Sequence, residues 1–199
     1  MVLGSIVHLQ DPLSAGNLED LPGADSDHIN VRTSLMRRHS VVLVPQDDGH
    51  IIRLLHPSFF DLLTDNTRCR NPKLVLNPHV QHTLLTRSCL RVLCNNLKRN
   101  IIGLPNSTTL NTEIENLPER IMQSIPPLVQ YACRHWSWHL ANAKLSEDLL
   151  YQLKKFVNTK LLYWIEVCSL LRELRSTILA LNTAQEALIV SHSSSYFQI

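Results

Sequence analysis

Glycine is scarce in this sequence, and the positions of its few glycines exclude the common phosphate-binding loops. The five glycines stand at positions 4, 16, 23, 49 and 103. Both G-x-x-x-x-G-K-[ST] and G-x-G-x-x-G need closely spaced glycines, because backbone amides must approach a phosphate group there. Neither arrangement occurs, so the chain by itself has no such loop for a nucleoside triphosphate.

Long apolar runs are absent too. No stretch approaches the roughly 20 residues that span a bilayer, and residues 1–10 lack the basic start of a secretory signal. The five cysteines are irregularly spaced, which is typical of buried, reduced thiols in an intracellular protein. We therefore expect a cytoplasmic protein with no membrane partner.

Metal-binding motifs are missing despite ten histidines. His135 and His139 have the spacing of a zinc pair on a predicted helix, but Trp136 stands where H-E-x-x-H has glutamate. We expect one of the two histidines to pack against the neighbouring tryptophans and the other to meet solvent. His79 and His82 lack a cysteine pair at zinc-finger spacing. No metal site is expected.

Nucleophile motifs are missing as well. There is no G-x-S-x-G elbow, and Ser58, two residues after His56, is interpreted as a local hydrogen-bonding residue. The aromatic pairs Trp136/Trp138 and Tyr163/Trp164 are typical of a helical core rather than of a base-stacking platform. We expect no catalytic residue, no bound cofactor and no small-molecule substrate, and hence a protein that is not an enzyme.

Charge is divided unevenly along the chain. Residues 1–65 carry four Lys/Arg and nine Asp/Glu, whereas residues 66–112 carry seven Lys/Arg and no acid. One interpretation is an acidic lobe packed on a basic one, and the alternative is a nucleic-acid-binding face at 66–112. The helix predicted at 27–38 carries Arg32, Arg37 and Arg38, but it lies in an acidic lobe that would repel phosphates. We therefore do not expect nucleic acid as a partner.

The most informative pattern is a β-hairpin that ends on a histidine and turns at once into a helix. Residues 40–45 and 51–55 are apolar and β-branched, and residues 46–49 supply turn chemistry with a glycine suited to positive φ. Pro57 suits the first turn of a helix and keeps His56 out of the α region. This order predicts the wing of a winged helix, with His56 fixed at its edge.

The rest of the chain predicts helices. We expect a mainly α fold in which a partial winged-helix domain occupies 1–66, a linker 67–78 and an α-helical bundle 79–190, with a disordered tail at 191–199. Expected N-caps are Ser14, Asn77 and Ser146. Helices are predicted over 27–38, 57–65, 113–124 and 172–190, and over 146–156 and a second run from 161.

The histidine hairpin resembles the winged-helix segment of NACHT-type STAND proteins, the NOD-like receptors and their fungal relatives. The resemblance lies in Leu54-Leu55-His56-Pro57-Ser58-Phe59-Phe60-Asp61-Leu62-Leu63: an apolar strand, a histidine, aromatics, an acid and further apolar residues. Further similarity, to the large fungal group, lies in Asp11-Pro12-Leu13-Ser14, His39 to Pro45, Arg68-Cys69, Gln130 to Cys133 with Trp136 and His139-Leu140, and Leu161 to Leu170. It covers nearly all of residues 1–190.

The resemblance implies that His56 contacts the β-phosphate of ADP held by a separate nucleotide domain, and that Asp61 helps to hold the first turn of the following helix. The chain lacks the NACHT core and the sensor repeats. It would therefore be a regulatory or scaffolding fragment that couples the nucleotide domain to the sensor of a signal-transducing NTPase, with a protein or the missing NACHT domain as partner. The alternatives are a winged-helix nucleic-acid binder and a helical protein–protein adaptor.

Overall fold

The computed structural model describes residues 2–21, 30–35, 41–45, 47, 49–56, 58–65, 67–69, 71, 74–106 and 108–195. The chain divides into two compact units. The first unit contains residues 1–88 and 142–144, and the second unit contains residues 89–141 and 145–199. The division falls inside one helix, between Ser88 and Cys89. The linker at 67–78 and the bundle at 79–190 stay a prediction of domain organisation.

The first unit contains short helices around a small apolar core. The helices are α1 (Val2–His8), α2 (Ala15–Asp20), α3 (Val31–Leu35), α4 (Ser58–Thr64) and the first part of α5 (Pro78–Asn96). Ser14 caps α2, as predicted, by accepting the Asn17 N–H at 3.4 Å. The Glu19 carboxylate accepts the Val31 N–H at 2.9 Å and so joins α2 to α3.

A two-stranded antiparallel sheet, β1 (Val42–Leu43) and β2 (Arg53–Leu54), confirms that the predicted hairpin pairs. Its register sets Val42 opposite Leu54. An isolated bridge between Ser14 and Ile51 ties the hairpin to the segment before α2. Val42 and Ile52 are buried and so anchor the hairpin in the core.

The turn of the hairpin differs from the prediction. Gly49 does not adopt the positive φ that was expected of it. Instead the Asp47 carboxylate accepts the Gly49 N–H at 3.1 Å and contacts the His50 imidazole at 3.0 Å. An aspartate side chain that bonds its own backbone two residues on is a turn device in itself, so no left-handed glycine is needed. Gln46 and Asp48 lie outside the described residues.

The second unit is helical in the part of the chain that the structure describes. It contains the end of α5, then α6 (Leu117–Ser124), α7 (Pro127–Asn142), α8 (Glu147–Leu170) and α9 (Leu174–Ser195). Ser146 caps α8 by accepting the Leu149 N–H at 3.3 Å. At the other end of α5, in the first unit, Asn77 accepts the Val80 N–H. Both predicted caps are confirmed.

Three helix boundaries differ from the sequence prediction. The two runs expected at 146–156 and from 161 form one continuous helix, α8, because no glycine or proline interrupts residues 147–170. Helix α6 starts at Leu117 rather than at 113, since Pro118 sits in its first turn and Asn116 before it is left-handed at φ 53°. Helix α9 continues past Val190 to Ser195, where a disordered tail was expected.

Three aromatic side chains form the centre of the second unit. Trp136 lies edge-on to Phe156 and Trp164, with ring centroids 5.2 and 5.5 Å away, and all three are fully buried. The Trp164 indole donates to the Cys133 carbonyl at 3.0 Å. The core position expected of the pair Tyr163/Trp164 is confirmed for Trp164, whereas the neighbouring Leu162 is 76% exposed.

Candidate functional site

The candidate site is the corner at His56, where the hairpin leads into α4. The Leu55 N–H donates to the Val41 carbonyl at 3.0 Å, which extends the pairing of β2 to the residue before the histidine. The Ile52 N–H donates to Leu13 at 2.9 Å. The backbone on the approach to His56 is thus held from two neighbouring segments. Pro57 lies outside the described residues.

The imidazole of His56 is exposed and is held by its own local backbone. Its Nδ1 accepts the Ser58 N–H at 3.1 Å and lies 2.7 Å from the Ser58 hydroxyl oxygen. A ring nitrogen that accepts an amide N–H carries no proton, so the neutral ring has its hydrogen on Nε2. The local contacts therefore fix a tautomer whose Nε2–H is a hydrogen-bond donor.

His56 and Ser58 are as close as a catalytic base and its nucleophile, but their hydrogen bonds are those of a residue pair at the start of a helix. The Nδ1 lone pair already accepts the Ser58 amide, and within the described residues no further side chain bonds to the imidazole to orient it. A nucleophile–base pair needs such an orienting group. Ser58 is the local hydrogen-bonding residue that its position in the sequence predicted.

Asp61, assigned by resemblance to the same corner, stands in the first turn of α4. Its side chain is exposed. An acid in the first turn is favourable beside the unpaired amides of a helix N-terminus. Its position is thus compatible with the expected role in holding that turn.

A second cluster of histidines lies in the core of the first unit, and the sequence pattern did not reveal it. His8 of α1 and His82 of α5 are 3% and 6% exposed, and their rings meet edge-on with centroids 5.1 Å apart. His8 donates from Nδ1 to the Gly4 carbonyl at 2.8 Å. The Phe60 ring of α4 also contacts His8, with ring centroids 5.6 Å apart. Only tertiary packing brings these residues together, so a sequence signal for the cluster is lacking.

This cluster keeps its imidazoles neutral. Burial lowers the pKa of His82 to about 4, assisted by repulsion from His8 and His79. Burial also lowers the pKa of His8, against the raising effect of its bond to Gly4. His79 donates from Nδ1 to the Asn142 carbonyl at 2.9 Å. Within the described residues no group of His, Cys, Asp and Glu side chains has the geometry of a metal site.

His135 and His139 both contact Tyr131 in the second unit. His139 is fully buried, with Nε2 2.7 Å from the Tyr131 hydroxyl and its ring against Trp138. His135 is less buried and packs on the Tyr131 ring, with ring centroids 4.8 Å apart. The expected contact of one histidine with a tryptophan is therefore present at His139.

All five cysteines are free thiols. Burial raises the pKa of Cys89 to about 12 and that of Cys168 to about 11, and it raises the pKa of Cys133 well above its usual value. The thiolate is the nucleophilic form of cysteine. These three thiols accordingly stay protonated near neutral pH and serve as core side chains.

The basic stretch at 66–112 is only partly available to a polyanion in the described residues. Arg68 is paired with Asp65 at 3.4 Å, and the Nε atoms of Arg87 and Arg91 are buried. Lys98 and Arg99 are exposed. Arg37, Arg38, Arg70 and Lys73 lie outside the described residues.

The second unit also has an open groove of about 890 Å³ beside α6. Its lining includes Ile114, Ile121, Met122 and Leu170 with Asn111, so it is mostly apolar and amide in character.

In the described part of the chain, no helix has the length and apolar character needed to cross a bilayer.

Comparison with known proteins adds no relative. No protein-family model, no curated protein and no solved structure matches the chain.

Proposed function

We propose that this chain is a non-enzymatic regulatory module of a NACHT-type signal-transducing NTPase. In this proposal residues 1–66 are a partial winged-helix domain that docks on a nucleotide domain. The helical bundle at 79–190 passes movement to a sensor domain. The chain would act by stabilising the ADP-bound, closed state of its partner rather than by chemistry of its own.

The observation that carries the proposal is the state of His56. An exposed imidazole at the end of a paired hairpin, with Nδ1 occupied by the Ser58 N–H, has Nε2–H left as its donor. Such a donor suits a phosphate oxygen, since hydrogen bonds to charged acceptors are short and strong. The position after β2 and before α4 is also the one that the resemblance assigns to the nucleotide-sensing histidine.

A single phosphate contact is enough for regulation. A ligand shifts a conformational equilibrium only by the difference in its affinity for the two states. A hydrogen bond from His56 to ADP would exist only when the two domains are closed. A hydrogen bond to a charged group contributes about 1.5 to 3 kcal/mol, which corresponds to roughly a 10- to 100-fold change in population.

The first test uses the purified chain alone. Titration calorimetry with ADP, MgATP and MgGTP is expected to show no binding up to about 1 mM, because the bound nucleotide needs a phosphate loop that this sequence lacks. Micromolar binding accompanied by turnover would contradict the proposal. If the partner is encoded beside this chain, as the proposal expects, the reading frame adjacent to this chain's gene encodes a phosphate-loop domain.

The second test uses that adjacent phosphate-loop domain, expressed together with this chain. His56→Ala is expected to speed release of a fluorescent ADP analogue by roughly tenfold or more. His50→Ala is the matched control, because His50 is an exposed histidine of the same hairpin whose Nδ1 is held locally, by Asp47. Equal release rates for the two variants would refute the role of His56.

A further inference from the structure

Helix α9 buries small side chains and exposes large aliphatic ones, which is the reverse of an ordinary surface helix. Among residues 174–189 the buried positions are Thr177, Ala180 and Ala184, each no more than 5% exposed. The large aliphatic side chains lie outward: Leu174 is 49% exposed and Ile178 is 63% exposed. A surface helix normally turns its large apolar residues to the core. The outward face of α9 therefore requires a separate explanation.

Small side chains account for the inward face. Thr177, Ala180 and Ala184 recur at three- and four-residue steps, so they lie along one side of the helix. Helix α9 packs on α8 in the second unit, and alanine there allows a close approach of the two helices. The buried side of α9 therefore consists of small side chains, and Leu174 and Ile178 are left exposed.

Five residues on the flank of the buried side follow a heptad; Leu174, Ile178 and Gln185 among them are exposed, and Leu181 and Leu188 are half-buried. Leu174, Ile178, Leu181, Gln185 and Leu188 are separated by steps of four, three, four and three residues, and we call this set the α9 stripe. At 3.6 residues per turn the stripe occupies an arc of about 80°, about a quarter of a turn from the buried alanines. Alternating steps of three and four are the spacing of a coiled-coil seam, which receives another helix.

The charges beside the stripe identify the partner. Among residues 174–189 the charged side chains are Arg175 and Glu186, one near each end and both on the same side of the stripe. In an antiparallel pair of identical helices the same sides meet. When Ile178 is level with Leu181 of the other copy, Arg175 and Glu186 of the other copy are about 3 Å apart along the axis. Opposite charges then meet twice.

We infer that the α9 stripe is a self-association surface at which two copies of this chain pair with antiparallel α9 helices. The inference goes beyond the proposed nucleotide switch and does not depend on it. Since α9 is already formed on α8, pairing does not require helix nucleation.

The contact is small. Four aliphatic side chains and one amide per copy bury less than the roughly 800 Å² per partner of a standard interface. We expect a weak dimer with a dissociation constant of about 10 to 100 µM. A membrane surface is a poorer match, because interfacial helices carry several Lys or Arg on the polar face and residues 174–189 contain Arg175 alone.

Sedimentation velocity on the full chain over about 5 to 500 µM tests the pairing. The wild type is expected to shift from monomer to dimer, and Ile178→Asp to weaken the dimer at least about tenfold. Leu179→Asp is the matched control. Leu179 is 65% exposed and adjacent in sequence, but it lies outside the stripe, so its dimer should keep the wild-type affinity. Circular dichroism verifies that both variants remain folded.

Charge exchange tests the antiparallel order. Arg175→Glu and Glu186→Arg are each expected to weaken the dimer about three- to tenfold, and the double variant to recover it. A wild type that stays monomeric at 500 µM would overturn the inference. So would equal effects of Ile178→Asp and Leu179→Asp, failure of the double variant to recover, or Ile178-dependent binding to anionic lipid vesicles by a monomeric chain.

Discussion

The ring of His82 meets the ring of His8 edge-on, with centroids 5.1 Å apart and an interplanar angle of 87°. The contact joins α1 to α5 within the first unit. Charge on His8 from α1 and on His79 from its own helix lowers the pKa of His82, and the uncharged ring of Phe60 from α4 contacts His8. Protonation of one buried imidazole therefore places positive charge against other imidazoles.

This contact predicts that acid destabilises the first unit. The pKa of His82 is about 4 in the folded chain against 6.5 for an ordinary histidine, so the unfolded chain binds more protons between these values. The full stability is present above pH 6.5 and is lost as the pH falls toward 4, by an amount of order 2 to 3 kcal/mol. His8, whose pKa is also lowered, acts in the same direction.

Hydrogen exchange of the amides in α1 and in residues 78–88, measured from pH 7 to 4, checks this prediction. His82→Phe should flatten the pH dependence, since its ring fills the same space without titrating. His50→Ala, an exposed histidine of the same unit, should leave it unchanged. A steep dependence that survives in His82→Phe would show that other groups cause it.

The two core tryptophans provide a second prediction, because they differ in one hydrogen bond. Trp164 donates its indole N–H to Cys133, whereas the buried Trp136 indole N–H has no hydrogen-bond partner among the described residues. Trp164→Phe and Trp136→Phe remove similar volumes. We expect Trp164→Phe to lower the free energy of unfolding by about 1 kcal/mol more than Trp136→Phe. Urea unfolding followed by far-UV circular dichroism measures both, and equal losses would contradict the assignment.

Glu166 gives a third prediction. Its carboxylate accepts the N–H groups of Asn100 and Ile101, both at 3.2 Å, and so holds the turn after α5. Glu166→Ala should destabilise the second unit by about 1 to 2 kcal/mol and speed hydrogen exchange at residues 100–104. Glu166→Gln, which retains one acceptor oxygen, should have about half the effect. The exposed Glu115→Ala is the control, and exchange that is as fast in this control would contradict the role of Glu166.

Local features of the fold were predictable from the sequence. Ser14 and Ser146 accept the amide N–H three residues later, as an N-cap does, because this bond depends on a few adjacent residues. The hairpin was predicted from its β-branched runs, and it pairs in the expected order. The winged-helix interpretation stays part of the proposal. The break expected in α8 was wrong, since apolar spacing alone does not end a helix that lacks glycine or proline.

The candidate site was predictable in position but not in environment. The sequence placed His56 at the end of the hairpin, and the structure shows that its imidazole is exposed. The Nδ1 bond to Ser58 was not predicted as such, although a hydrogen-bonding role for Ser58 was. His8 gave no signal, because nothing near it in sequence indicates that it meets His82.

The sequence by itself determined that this chain has no phosphate loop, and it determined where α2, α5 and α8 start, because their serine and asparagine caps act through residues next to them. Only the tertiary structure decided which histidines are buried and which face of α9 is exposed. The physical reason is range. Capping and turn preferences act over three or four residues, whereas burial depends on residues that are distant in sequence and meet only when the unit packs.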